Sequence, residues 1–141
     1  DVGVPVGLGV DGSASNDAGN LMAEARQAML LQRVARGAEA MSAREALEIA
    51  TRGGADVLGR PDCGRIALGC RADIAIWDVS GIASAGSWDP AALVLAGPTT
   101  ARDVFVEGRQ VVRDGHLVTI NMSSVVARQT ALAQTLGARQ A

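Results

Sequence analysis

One short run restricts what this chain can fold into. VPVGLGV, residues 4–10, is apolar and glycine-spaced, and it stops abruptly at Asp11. Val4, Val6, Leu8 and Val10 alternate with small residues, the pattern of a short buried strand packed closely on both faces. Pro5 near its start is tolerated. Such a strand needs hydrogen-bonding neighbours along its edges. The next segments of the chain are helical, and the later strands read as antiparallel hairpins with turns of their own. A single strand succeeded by helices makes no sheet, so strand 4–10 is expected to pair with a segment outside this sequence. The chain also opens on Asp1 rather than Met, directly before this run, which predicts a fragment or a processed chain.

After Asp11, residues 12–16 form a loop of small polar residues, and Asp17 is placed to cap a helix over roughly 18–36. Leu21, Ala25, Ala28, Leu31 and Ala35 share one face of that helix, and Gly37 ends it. Ser42 and Glu45 form a capping box that opens a second helix, residues 43–58. Its expected buried residues are Ala46, Leu47, Ile49, Ala50 and Val57. Gly53-Gly54 inside it either weakens the helix or permits close packing.

From Gly59 the pattern changes to strands, expected at 65–68, 73–79, 101–107, 110–113 and 116–120. Gly108-Arg109 and Asp114-Gly115 read as hairpin turns. A glycine- and serine-rich loop covers 80–87, and Trp88 is expected to anchor it against the sheet. Asp89-Pro90 then starts a short helix, with proline at its first position. Trp77 alternates with Ile74 and Ile76 and faces the other side of its strand. Residues 122–137 form a last amphipathic helix, with Val125, Val126, Leu132 and Leu136 expected in the core and Ser123 as the cap.

Composition excludes several classes. At 141 residues the chain is long enough for one core. Net charge is −2, which gives no basic surface for nucleic acid, and aromatic content is 2%, which gives no stacking platform for single strands. All 13 cationic side chains are arginine, a trait of coding bias. No run of 18 apolar residues suggests a membrane span, and no signal peptide is evident. Cys63 and Cys70 lack a CxxC motif or a histidine pair, so they read as two reduced, partly buried thiols of a cytoplasmic protein. Asp103, Glu107, Arg109, Arg113 and Asp114 alternate in sign and read as a solvated face.

GLGVDGSASND together with the adjoining NLMAEARQAMLLQR resembles the last strand, loop and helix of the (β/α)8 barrel in the amidohydrolase superfamily. ALEIATRGGADVLGR is similar to the helix after that barrel, GRIALGCRADIAIWDVS to the strand pair of the small β-domain, and WDPAALVLAGPTTARDVFVEGRQVVRDG to its closing segment. The branch it looks like is the cytosine/guanine-deaminase group, with 8-oxoguanine deaminases and hydroxyatrazine-type aminohydrolases. The resemblance implies an α/β fold: the last βα unit of a metal-dependent barrel (1–58), the C-terminal share of a small β-sandwich domain (59–121) and a terminal helix (122–141). It implies a hydrolase removing ammonia or an amine from a purine-, pyrimidine- or triazine-like ring. The chain alone is then an inactive structural or assembly piece. A homo-oligomer is expected, as is a missing N-terminal segment.

The resemblance also assigns Asp11. In this family the last barrel strand ends in an aspartate at the carboxyl face, where barrel active sites sit. That aspartate lies beside a divalent metal, zinc or iron, and takes the proton of the metal-bound water. A carboxylate suits the position because the metal lowers the water's pKa and a nearby base accepts the proton. Asp11 is therefore expected to be both catalytic and a metal neighbour. Gly12 would let the backbone approach the substrate, and Ser13, Ser15 and Asn16 would either hydrogen-bond the heterocycle or serve plain loop and cap roles. The family's histidine ligands and its further catalytic glutamate or histidine are absent from this chain. Its single histidine, His116, reads as a surface strand residue, and Asp73 as a structural turn residue. Asp11 alone cannot hold a catalytic metal.

Overall fold

Alanine and glycine set how closely the helices of this chain approach. In the computed structural model, residues 3–12, 14–16, 18–96 and 100–138 are described. Helix α1 spans Leu21–Arg36. Helix α2, Ala43–Glu48, runs through a π-helical turn, Ile49–Gly53, into α3, Gly54–Val57. Strand β1 is Ile74–Ile76, α4 is Pro90–Ala96, and β2, β3 and β4 are Asp103–Val106, Arg109–Arg113 and His116–Leu117. Helix α5, Met122–Gly137, ends the described chain. No helix among the described residues is long and apolar enough to cross a membrane.

The core lies where α1, α2 and α4 meet. Ala25, Met29, Ala43, Ala46, Ala91 and Leu95 form it, with Leu8, Met22, Met41 and Leu47 packed against its edge. Ala25 and Ala46 are fully buried. Methyl-sized side chains let the helix axes approach closely, but each contributes little apolar area. Polar ties hold the geometry. Arg33 Nε donates to the Met41 carbonyl at 2.8 Å. Arg44 pairs with Asp89 Oδ1 at 3.0 Å, the oxygen that also accepts the Ala91 N–H at the start of α4. The capping box of Ser42 and Glu45 is formed in both directions. Its hydrogen bonds hold the Glu45 carboxyl below its ordinary pKa.

The sheet is antiparallel in the order β1-β2-β3-β4, with Ile74 opposite Phe105, Val106 opposite Arg109 and Val112 opposite Leu117. Both hairpin turns put two consecutive residues at positive φ: Glu107 (51°) and Gly108 (77°), then Asp114 (49°) and Gly115 (77°). That is the backbone of a type I′ turn, whose twist matches the flanking strands. The first turn is therefore Glu107-Gly108, with Arg109 already in β3. Asp73 Oδ1 accepts the Glu107 N–H at 2.7 Å, so this aspartate fastens the turn to the start of β1, the structural role expected of it.

Several expectations are corrected. Asn20, not Asp17, caps α1 by accepting the Met22 and Ala23 N–H groups; Asp17 lies outside the described residues. The buried stripe of α1 centres on Ala25 and Met29, because that side meets α2 and α4. Leu21 and Leu31 remain exposed on the flank that no described element covers. Val57 is exposed for the same reason. Residues 65–68 form irregular chain leading into a turn rather than a strand, since no neighbouring edge among the described residues pairs with them, and Ile66 and Leu68 project into solvent. Trp88 anchors nothing and is 90% exposed. Asp103 is largely covered, held by Arg102 Nε at 2.7 Å and Gln110 Nε2 at 3.0 Å, rather than part of a solvated face. Helix α5 has the expected bounds, but Asn121 caps it rather than Ser123, and Val125, Val126, Leu132 and Leu136 are all exposed. No layer of the described chain closes over that apolar face.

Residues 4–10 carry no sheet pairing, and Val4 and Val6 are exposed. The segment is nevertheless placed. An added Cβ at Gly7 would lie 2.9 Å from the Gly54 Cα, and one at Gly53 would overlap the Val6 carbonyl oxygen. The Gly53-Gly54 pair is thus a seat for this backbone, which resolves the two readings of that pair in favour of close packing. Gly53→Ala should therefore push the segment away and destabilise the chain by about 1–3 kcal/mol, as overpacking does. Gly54→Ala, whose Cβ meets nothing within 4 Å, should be neutral or stabilising by about 0.5–1 kcal/mol. Urea unfolding midpoints of the two variants check this, and equal midpoints would dismiss the seat.

Candidate functional site

The Gly7 contact fixes where the apolar run ends, and Asp11 stands four residues further on. Its backbone is left-handed, with φ +58°. This conformation is uncommon for a residue with a side chain, although aspartate adopts it more readily than most. Asp11 Oδ1 accepts the N–H of Gly12 at 2.7 Å. The other carboxylate oxygen has no partner among the described residues, and the residue is exposed.

The loop beyond it is held by its own hydrogen bonds. The Gly12 carbonyl accepts the N–H groups of Ser15 and Asn16, both at 2.9 Å. Asn16 Nδ2 donates to Glu24 Oε1 at 2.6 Å, and Asn16 Oδ1 accepts the Ala18 N–H at 3.2 Å. Asn16 therefore ties the loop to the first turn of α1. Ser15 is exposed, an added Cβ at Gly12 meets nothing within 4 Å, and Ser13 lies outside the described residues. Glu24, which holds the loop through Asn16, and Asn20, which caps the helix the loop leads into, are the residues that sequence reasoning missed. The available signal was an asparagine just before an apolar helical run, with an acidic residue in the first turn.

Among the described residues no group of three or more histidine, cysteine or acidic side chains comes together to hold a metal ion. Asp11 offers one carboxylate and no second ligand, so the residues present do not by themselves fit a catalytic metal. His116 is exposed in β4, with Nδ1 2.7 Å from the Asp114 carbonyl, as expected of a surface strand residue. A groove of about 520 Å³ opens elsewhere, between the start of α1, α2 and the sheet. Leu21, Met22, Leu47, Ala50, Trp77 and Val104 are among its lining residues, and Asp11 is not. Its walls are apolar and hold no acid–base pair.

This arrangement of helices and antiparallel sheet has known counterparts. The amidohydrolase family matches residues 1–111. The 8-oxoguanine deaminase of Pseudomonas aeruginosa is 46% identical over 135 residues, covering 95% of this chain and 30% of that protein. The hydroxydechloroatrazine ethylaminohydrolase of Pseudomonas sp. strain ADP is 39% identical over 121 residues, covering 80% of this chain and 25% of that protein. Among solved structures, the atrazine chlorohydrolase of Arthrobacter aurescens TC1, complexed with zinc, superposes with a TM-score of 0.85 at 44% identity, covering 92% of this chain and 30% of that one. The chain belongs to the amidohydrolase family. It spans less than a third of the length of these relatives, and its helices and antiparallel sheet match the C-terminal part of their fold.

The left-handed backbone at Asp11 yields a prediction that is independent of chemistry. Asp11→Asn keeps a residue that tolerates this conformation and an oxygen for the Gly12 N–H. Asp11→Ala removes both and should lower stability by about 1–2 kcal/mol relative to the asparagine variant. Urea denaturation of the two variants measures the difference, and matching curves would reject a left-handed residue 11.

Proposed function

We propose that this chain is the C-terminal part of a metal-dependent aminohydrolase that removes ammonia or an amine from a heteroaromatic ring. The observation that carries this reading is the 46% identity to an 8-oxoguanine deaminase across nearly the whole chain. Residues 1–58 complete a barrel, 59–121 complete a small β-domain, and 122–141 close the chain as a helix. The zinc in the atrazine chlorohydrolase structure supports zinc as the metal. Asp11 would stand beside it as one carboxylate, and the remaining ligands have to come from outside this chain.

Asp11 has a defined task in this reading. Its second carboxylate oxygen accepts a proton from the attacking water, while the oxygen bonded to the Gly12 N–H keeps the side chain oriented. Asn16 and Glu24 hold the loop that presents it. Ser15 and the Gly12 backbone border the substrate. Without the upstream barrel the same chain is an assembly piece with no turnover, a second reading favoured by the absence of a metal-ligand cluster among the described residues. A cytoplasmic setting accompanies both readings, given the two free thiols.

A chimera tests this. The corresponding C-terminal third of the Pseudomonas aeruginosa 8-oxoguanine deaminase is replaced by this chain, and ammonia release from 8-oxoguanine is monitored beside the chain alone. The chimera should bind zinc stoichiometrically and turn over, and the chain alone should do neither. Asp11→Asn in the chimera should lower kcat by about 10²–10⁴-fold with the fold retained. Turnover within about threefold of the parent chimera would end the proton-acceptor role.

A further inference from the structure

The loop between α3 and β1 has a closed neck, and both cysteines sit just inside it. The Arg71 N–H donates to the Asp62 carbonyl at 2.7 Å. Arg71 Nε returns to Asp62 Oδ2 at 2.8 Å, and Arg60 Nε holds Oδ1 at 2.8 Å. Hydrogen bonds from Arg60 and Arg71 hold the Asp62 carboxyl far below the usual carboxylate range. Cys63 directly succeeds Asp62, and Cys70 directly precedes Arg71. The neck therefore places the two cysteines across from each other, one residue inward of the hydrogen bond.

Their thiols converge on the same stretch of backbone. Cys63 Sγ is 3.8 Å from the Arg60 carbonyl oxygen, and Cys70 Sγ is 4.0 Å from that of Pro61, the next residue. Both are free and half-buried. The loop is fastened on either side. Gly64, at φ +78°, sits so close to the helix that a Cβ there would lie 2.8 Å from the Ala55 Cβ and 2.9 Å from the Thr51 carbonyl. Arg71 also pairs with Glu107 in the β2–β3 turn. A disulfide requires closely spaced backbones and facing side chains; the backbone bond between Asp62 and Arg71 and the seating of both thiols against adjacent carbonyls are what argue for that relation here.

We propose that Cys63 and Cys70 are a redox modification site that forms a reversible intrachain disulfide, clamping the loop that joins the helices to the sheet. The oxidant is a low-molecular-weight disulfide of the glutathione class. One cysteine loses its proton to solvent, and its thiolate attacks a glutathione disulfide sulfur. That S–S bond breaks, a mixed disulfide forms, and one glutathione thiolate leaves and is protonated. The second cysteine thiolate then attacks the protein-side sulfur, and the second glutathione leaves. Two cysteine thiols have lost two electrons and two protons, and one glutathione disulfide has become two thiols. In a reducing compartment such a bridge is transient, the mark of a switch rather than a staple.

The test is the equilibrium of the full chain with glutathione redox buffers, quenched with acid and read by mass spectrometry, in buffer and in concentrated urea. Circular dichroism of the same samples reports the helices. Under oxidising buffer the folded chain should lose two hydrogens with no adduct. The effective concentration of its thiol pair should exceed the urea value by about tenfold or more, because the fold rather than the chain length brings the sulfurs together. Cys63→Ser and Cys70→Ser should each accumulate a single glutathione adduct instead. Arg71→Ala, which removes the side-chain ties to Asp62 and Glu107 while keeping both cysteines and the backbone bond, should loosen the neck and lower the effective concentration toward the urea value. Equal values in buffer and urea, two adducts on the wild-type chain, or disulfide-linked dimers in place of the internal bridge would each overturn the proposal.

Discussion

The close contact of α1, α2 and α4 through alanine is the interaction on which the rest of the structure depends. Ala25, Ala43, Ala46 and Ala91 bring the three helices together, with Met29 and Leu95 as the only larger side chains in the cluster. Contacts of this kind fix geometry strongly and supply little apolar burial. The helical part is therefore well defined in shape while large apolar side chains lie outside it, from Leu31 on α1 to Leu132 on α5. Such a balance suits a part of a larger unit, in which the exposed faces are covered by other layers.

That helical frame positions the candidate site at second hand. The Gly53-Gly54 seat holds the apolar run, the run delivers Asp11, and Asn16 with Glu24 holds the far side of the loop. A left-handed aspartate at the end of the apolar run is a small strain of the sort found at functional positions. The strain is tolerable because the Gly12 N–H meets the carboxylate and the Gly12 carbonyl closes the next turn.

The parts legible in the sequence were those governed by local chemistry. The Ser42–Glu45 capping box, the Asp89-Pro90 helix start, the Asp114-Gly115 turn and the bounds of α5 arise from hydrogen bonds made within a few residues, and the sequence pattern specifies such bonds. What misled was burial. Periodicity marks an apolar face, but not whether the chain itself provides a surface against it. Val125, Leu132, Val57, Val4 and Val6 were expected inside and lie outside for that reason. Asn20 was missed as the α1 cap because Asp17, three residues before it, carries an equally good capping side chain. Asp11 was legible as a candidate from family resemblance. Its backbone conformation and its bond to Gly12 were not, since no residue pattern fixes a single left-handed aspartate.

The placement of the two indoles has an optical consequence. The chain has no tyrosine and a single phenylalanine, so its near-ultraviolet absorption and emission come almost wholly from Trp77 and Trp88. Trp88 stands in water and contributes a steady red-shifted background. Trp77 is half-buried on the wall of the apolar groove. Any layer that closes over that groove dries Trp77, whereas Trp88 is no part of the groove's lining. The chain thus carries a built-in fluorophore pair, reference and sensor, by which docking of a covering segment can be tracked without a label.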